Sequence, residues 1–557
     1  MYHKSKTLSK IPGVSILQTL GLGCLLPRNA LARDNWAMKP QRFVLAIPFL
    51  LASCSLSPIR GSSSSDSQGI ESPSISSSIP QESSSSSVEA PVEVDTPFTE
   101  EALRFFDATD VSMNIAFTPE ALRFMSDYQS DQKKYDDVYL PAEVSIRFEG
   151  KDYVYPDAGV RMKGNTSRRK IYNEDGVVAN LVHFKVTFKE TFDDDIYSDE
   201  LLQGFARDWS EDADGRKARK KRNFLGLSKL DLKYVTRNTS TGGDCILREI
   251  YAYRAFEKAG VPTPKAGLTT LTFGDGVTSL TSHYETVETI DKDFLKRRYS
   301  KAEAKGDLYK CVYGPMGKGD LSRSGAIDYV IDENGYCSGK AILRGKIGVE
   351  NNYEYYNPCY DLKTNDDGDN SDFSSMANFI ANMWNLVYAG APATLLESTL
   401  HVDEFLRYSA LAYLIGNFDD ARFNYNNYYV YFLPSTGQAI YIPYDYDWCL
   451  GLEVSSSSGV AQKDVNPFSP MTFDGGEAAS VFYATFFDQN KSNSKLSYDR
   501  KPYQDAYSAY IKQYLDSTLN PAAFEELTSK YGRAEELGNV SSYMNAKRAT
   551  VNRFYGK

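Results

Sequence analysis

Ile415-Gly-Asn-Phe-Asp-Asp-Ala-Arg-Phe-Asn-Tyr-Asn-Asn-Tyr-Tyr-Val-Tyr431 is followed shortly by Tyr441-Ile-Pro-Tyr-Asp-Tyr-Asp-Trp-Cys-Leu-Gly451. The first segment reads as a loop of carboxylates and amides running into an apolar strand. Ser435-Thr-Gly437 supplies turn residues, and the second segment reads as a returning apolar strand that ends in Asp445-x-Asp447. Pairing of these strands brings both acidic clusters to one end of a hairpin. Oxygen donors gathered there suit a hard divalent cation, with one carboxylate left over as a base.

At 557 residues, with 42% hydrophobic content, the chain is long enough to bury a large core. Its formal net charge is −11, and because residues 1–53 are basic, the remainder is more acidic still. A nucleic-acid partner is therefore not expected, since binding one calls for a basic face to neutralise phosphates. The four His are scattered, which argues against a His-based metal site or a Ser/His/Asp triad. No two of the seven Cys have CxxC spacing, so no zinc site is indicated; Cys337 and Cys359 are the nearest candidates for a bridge.

The N-terminus reads as an address. Met38-Lys-Pro-Gln-Arg42 is a basic head, and Phe43 to Ser53 is an apolar run too short to span a membrane as a mature helix. Leu51-Ala-Ser-Cys54 then resembles a bacterial lipobox, which implies lipidation of Cys54 and places residues 1–37 upstream of the true start. Residues 1–54 form this signal region. Residues 55–95 are Ser-rich and Pro-dotted, a composition that cannot bury enough apolar surface to offset chain entropy. They are expected to be a disordered linker.

Folded sequence starts near Thr96. Thr99-Glu-Glu-Ala and Thr118-Pro-Glu-Ala are helix starts, the second with Pro at its first position. Alternating runs at 142–148, 153–162, 183–188 and 229–235 predict strands. Arg161-Met-Lys-Gly-Asn-Thr-Ser167 is a cationic strand end running into Gly164. Such a turn can cradle phosphate, with Lys163 and Arg161 supplying charge. Residues 190–222 are charged and read as a loop insertion. Residues 245–260 fit a helix ended by Gly260, and 267–288 a strand, tight turn and strand. A mostly apolar helix over 401–415 delivers the chain to the acidic loop, and 496–557 reads as several amphipathic helices.

In order along the chain stand Arg161-x-Lys-Gly-Asn-Thr-Ser, Leu232…Leu247-Arg-Glu249, Tyr284-x-x-x-Glu288-x-Ile-Asp-x-x-Phe-Leu295, Leu308-Tyr-Lys310 and Tyr360-Asp-Leu-Lys-Thr-Asn365. Asn417-x-Asp-Asp…Asn427-Tyr-Tyr-Val-Tyr431 and Ile442-Pro-Tyr-Asp-Tyr-Asp447 follow. This ordered set, over roughly residues 140–455, resembles the CotH family of spore-coat-type atypical protein kinases. The resemblance implies an α+β, protein-kinase-like, two-lobed fold with an antiparallel sheet and a helical C-terminal part, across residues 96–557. It implies transfer of phosphate from ATP to Ser/Thr of a protein substrate, assisted by Mg2+ or another divalent cation.

Residue by residue, the resemblance makes Arg161, Lys163 and Gly164 the phosphate-facing turn. Lys185 is the nucleotide lysine, with Glu249 as its ion-pair partner and Lys163 as its rival. Glu288 borders the adenine. Asp420 or Asp419 is the catalytic carboxylate, Asn424 or Asn427 the metal amide, and Asp445 or Asp447 the metal carboxylate. There is no His-Arg-Asp and no Asp-Phe-Gly. With the lipobox, the expected location is the extracellular face of the cell membrane, held by a lipid anchor. The alternative function is a non-catalytic surface, envelope or coat-assembly scaffold that keeps the fold.

Overall fold

The computed structural model describes residues 94–130, 135–164, 167–234, 246–312, 319, 321, 346–350, 353–356, 360–367, 371–452, 462–469, 485–487 and 495–556. Cys54, the signal region, nearly all of the Ser-rich linker and the Cys337–Cys359 pair lie outside these residues. The chain divides into units at Met1–Ser87 and Val88–Lys557, and every described residue belongs to the second.

The first half of that unit is built from strands whose apolar side chains alternate inward. α1 (Glu100–Asp107) begins behind Thr99, whose hydroxyl accepts from the Ala102 N–H at 3.1 Å. After β1 (Ser112–Phe117), α2 (Pro119–Tyr128) is capped in the same way by Thr118. β2 (Leu140–Phe148) buries Leu140, Ala142, Val144, Ile146 and Phe148 on one face, and β3 (Lys151–Lys163) and β4 (His183–Thr187) follow. The 190–222 segment, expected as a loop, contains α3 (Ala213–Arg219) and short 3-10 turns. It is drawn onto the body by Asp157 of β3, which accepts from Arg207 at 2.8 Å, from Arg222 at 2.7 Å and from Arg219. Next come β5 (Lys229–Tyr234), α4 (Leu247–Lys258), β6 (Ala266–Gly274) and β7 (Ser279–Glu288).

Among the described residues these seven strands close into a barrel in the order β1-β2-β3-β4-β5-β7-β6. All neighbours are antiparallel except β1 and β6, which close the ring in parallel. Closure removes the free sheet edges that an open sheet would expose. The observed sheet is thus a barrel rather than the simple antiparallel sheet expected, and the chain is α+β.

α5 (Lys292–Lys296) leads into the second half. β8 (Leu308–Cys311), the pair β9 (Lys346–Glu350) and β10 (Tyr353–Tyr356), and β11 (Tyr360–Leu362) come next. Then follow α6 (Ser374–Trp384), α7 (Ala393–Thr399), α8 (Val402–Ile415), β12 (Tyr428–Phe432) and β13 (Ala439–Pro443). A four-stranded sheet runs β11-β8-β12-β13. The chain ends in α9 (Lys501–Thr518), α10 (Pro521–Lys530) and α11 (Leu537–Phe554), as the amphipathic pattern predicts. One core fills the barrel, and a second joins α4, α6, α8, the β-sheet and the C-terminal helices. Cys311 and Cys449 sit in that second core as thiols. Among the described residues no helix is long and apolar enough to cross a membrane.

Candidate functional site

β12 and β13 pair with Tyr428 opposite Pro443, so the 417–427 loop and the 444–448 turn emerge at the same end of the hairpin. α8 ends in the left-handed Gly416 and delivers the first loop. Asn417 turns it, accepting from the Asp419 N–H at 2.9 Å. The Asp419 carboxylate then receives the side-chain amides of Asn424 at 2.6 Å, Asn426 at 3.1 Å and Asn427 at 2.9 Å. Asp420, 0% exposed, accepts the backbone N–H groups of Arg422 at 2.9 Å and Phe423 at 3.3 Å, and the Tyr446 hydroxyl at 3.3 Å. Burial pushes both carboxyls up to about 6. The adjacent aspartates thus divide the work: Asp420 folds the loop, and Asp419 lies within the electrostatic reach of Asp445 and Asp447.

Asp445 and Asp447 meet a cation absent from the sequence expectation. Lys233 of β5, only 5% exposed, forms ion pairs with Glu249 of α4 and with Asp445, and its ammonium is 3.9 Å from Asp447. Glu249, 1% exposed, also accepts from the Tyr253 hydroxyl at 2.5 Å and the Tyr446 N–H at 3.2 Å. The Tyr253 hydroxyl accepts in turn from the Asp445 N–H at 3.0 Å. Asp445 sits in the left-handed region at φ 57°, as do Tyr425 and Asn427 in the facing loop. Backbone strain of that kind is concentrated where a side chain must be aimed.

The charges follow from this packing. Burial disfavours ionised Asp445, but Lys233 overrides it and holds the carboxyl at about 2. Burial, with Asp445 close by, pushes Asp447 well above the carboxylate range although Lys233 opposes it. Across the strand pair Lys233 stands opposite Glu285. Burial and the neighbouring Glu249 push the Glu285 carboxyl well above the ordinary carboxylate range.

The expected Lys185–Glu249 pair is corrected by this arrangement. β4 and β5 are adjacent, and α4 packs so that Glu249 reaches β5. Lys185 instead approaches Asp231 of β5 at 3.7 Å, beside Lys163, which donates to Asp231 at 2.8 Å and to the Tyr444 hydroxyl at 3.1 Å. Burial lowers Lys185 to about 7, and it lowers Lys310 of β8, whose ammonium is 4.9 Å from the Tyr444 ring centroid, to about 8.

Arg161 turns to Asp137 at 2.7 Å and to the Asp136 carbonyl at 3.0 Å, and so is committed to the 136–137 loop. Gly164 adopts φ 105° and starts the turn, but Asn165 and Thr166 lie outside the described residues. The Glu288 carboxylate is 0% exposed and pairs with Arg297 at 2.7 Å and Arg298 at 2.7 Å, which clamps the end of β7 to α5.

Asp419, Asp445, Asp447, Asn424 and Asn427 are all hard oxygen donors, and the buried Asn424 Oδ1 has no hydrogen-bond partner. Among the described residues no three His, Cys, Asp or Glu side chains converge closely enough to hold a metal on their own. The donor set fits Mg2+, which typically takes one or two carboxylates and completes its shell with phosphate oxygens and waters.

The sequence held a signal for the missed lysine. In Lys229-Leu-Asp-Leu-Lys233 the leucines enter the barrel core, while Asp231 and Lys233 lie on the opposite face and are still buried. A strand whose polar face is buried must satisfy its charges with a partner element. The helix that follows directly, carrying Glu249, is the nearest such element in sequence.

A family profile described as CotH kinase protein matches residues 207–544. The chain belongs to this kinase-like family. The match covers Lys233, Glu249, the 417–427 loop and Asp445–Asp447, and it leaves out Arg161, Lys163 and Lys185. No curated protein matches. Among solved structures there is a similarity to the Shewanella oneidensis MR-1 toxin–antitoxin complex of HipA, HipB and operator DNA. It has 12% identity, covers 59% of this chain and 58% of that one, and its TM-score of 0.23 is too low to carry an argument.

Proposed function

We propose that this chain is an ATP- and divalent-cation-dependent protein kinase with a two-lobed, kinase-like arrangement in which the barrel and the helical half face one another across Lys233 and Asp445. The observation that carries this reading is Lys233 shared between Glu249 and Asp445. One ammonium links a strand, the helix after it and the acidic turn, as phosphate positioning requires. Lys233 replaces Lys185 as the nucleotide-phosphate lysine, oriented by Glu249. Lys163 and Lys185 add charge from the adjoining strands.

Phosphoryl transfer needs positioning and charge stabilisation more than covalent help from the protein. In this reading a Ser or Thr hydroxyl oxygen of the acceptor bonds to the γ-phosphorus, the bond from that phosphorus to the β–γ bridging oxygen breaks, and ADP leaves. The hydroxyl proton passes to Asp419, which the three Asn amides aim. Asp420 keeps the loop folded. Asp445 and Asp447, with Asn427 or Asn424, would hold Mg2+, which supplies neutralisation of the phosphate charge. The cell-surface location, the lipid at Cys54 and a protein acceptor without nucleic acid complete the proposal. The lipobox order and the acidic composition support them.

The test is transfer from γ-labelled ATP by wild type, Asp419→Ala and Asp420→Asn, with nucleotide binding measured alongside. Loss of transfer by about 100-fold in Asp419→Ala, with nucleotide still bound, is the expected result. A wild type that binds nucleotide and transfers nothing would favour the scaffold reading.

A further inference from the structure

Two glycines bracket the acidic segments. Gly416, at φ 68°, stands before Asp419, and Gly451, at φ 95°, stands after Asp447. The Leu450 N–H donates to the Ile415 carbonyl at 3.0 Å, so the start of the first loop and the end of the second are stitched together beside the two glycines. One side chain covers both. Tyr543 of α11, 3% exposed, donates its hydroxyl to the Leu414 carbonyl at 3.1 Å. A Cβ at Gly416 would run into the Tyr543 hydroxyl, and one at Gly451 would lie 2.9 Å from Tyr543 Cβ. Both glycines therefore meet two demands at once, a left-handed backbone and room for this ring.

One turn along α11, Lys547 is 0% exposed and donates to the Gln462 carbonyl at 2.8 Å. Its ammonium lies 3.6 Å from the ring centroid of Tyr413 in α8, and Arg422 of the acidic loop approaches the same ring at 5.3 Å. The C-terminal helix thus grips the last turn of α8 at successive turns.

We infer that Tyr543 is a positioning residue that sets the separation of the two acidic loops. Two glycine hinges without a plug can change φ and ψ freely, whereas Mg2+ demands near-ideal geometry from its donors. The inference rests on the reading above, in which these loops hold a divalent cation.

Its test is a Mn2+ titration of the full chain with a non-hydrolysable ATP analogue, read by the Mn2+ EPR signal, with labelled-ATP transfer and thermal melting on the same samples. Tyr543→Leu is expected to raise the Mn2+ midpoint about tenfold, as loss of an outer support of metal ligands does. Tyr543→Phe keeps the ring, loses the bond to Leu414 and is expected to shift the midpoint about threefold; it carries the test if Tyr543→Leu does not fold. A merely structural role would reduce the number of sites per molecule and leave the midpoint in place. An unchanged midpoint in every folded variant, or no Mn2+ bound by wild type, overturns the inference. A shifted midpoint with no transfer by wild type would remove the kinase reading and leave the positioning role. Transfer with an unchanged midpoint would do the reverse.

Discussion

Lys233 and Lys185 stand on neighbouring strands, both largely buried, and differ in what they touch. Replacing Lys233 by Met strands Glu249 and Asp445 without their shared cation, which is expected to cost about 3 kcal/mol of stability and about 100-fold in transfer. Lys185 has one carboxylate at long range and a depressed basicity, so Lys185→Met is expected to lower transfer by no more than about tenfold. Chemical denaturation and initial rates of both variants check the pair. Glu404 of α8 gives a separate residue-scale prediction. Its carboxyl is buried, one oxygen lacks a partner, and burial raises it to about 8. A carboxyl raised in the fold binds its proton more tightly there than in the unfolded chain. Its stability cost is absent below the ordinary carboxylate range and grows as pH rises toward 8. Glu404→Gln is expected to gain roughly 4 kcal/mol at pH 8 and nothing at pH 4, read by denaturant midpoints at both values.

At the scale of elements, the β12–β13 hairpin was legible because two apolar runs flank a Ser-Thr-Gly turn and acids close both far ends. The capped starts of α1 and α2 were legible because Thr99 precedes Glu100 and Glu101, and Thr118 precedes Pro119 and Glu120. The 190–222 insertion was not. Its order comes from three guanidiniums converging on Asp157, which lies far back in sequence on β3. Asp157→Asn is therefore expected to expose 207–222 to protease while leaving the β12–β13 hairpin protected. Limited proteolysis and hydrogen exchange read the two regions separately, and the loss should be about 2 kcal/mol. Equal deprotection of both regions would show that the insertion is not held through Asp157. The identity of the glutamate's partner was hidden for a related reason. The choice between Lys185 and Lys233 is made by which strand α4 packs against, and that is tertiary.

For the whole molecule, barrel closure depends on Ser112–Ala116 lying parallel to Thr270–Gly274, a pairing no local pattern announces. The acidic composition argued against nucleic acid, yet the site gathers Lys163, Lys185, Lys233 and Lys310 around Asp231, Tyr444 and Asp445. Net charge describes the outer field of a protein, whereas a site is set by local placement. The family match spans the lysine, the glutamate and both acidic segments. Their joint action is tested by transfer from γ-labelled ATP in Mg2+ to Ser/Thr acceptors, comparing wild type with Lys233→Met and Asp445→Asn. Wild type is expected to transfer phosphate and each variant to lose about 100-fold or more, with melting curves showing folded protein. Transfer by folded variants at the wild-type rate, or none by wild type, would contradict a phosphate-positioning role for Lys233, Glu249 and Asp445.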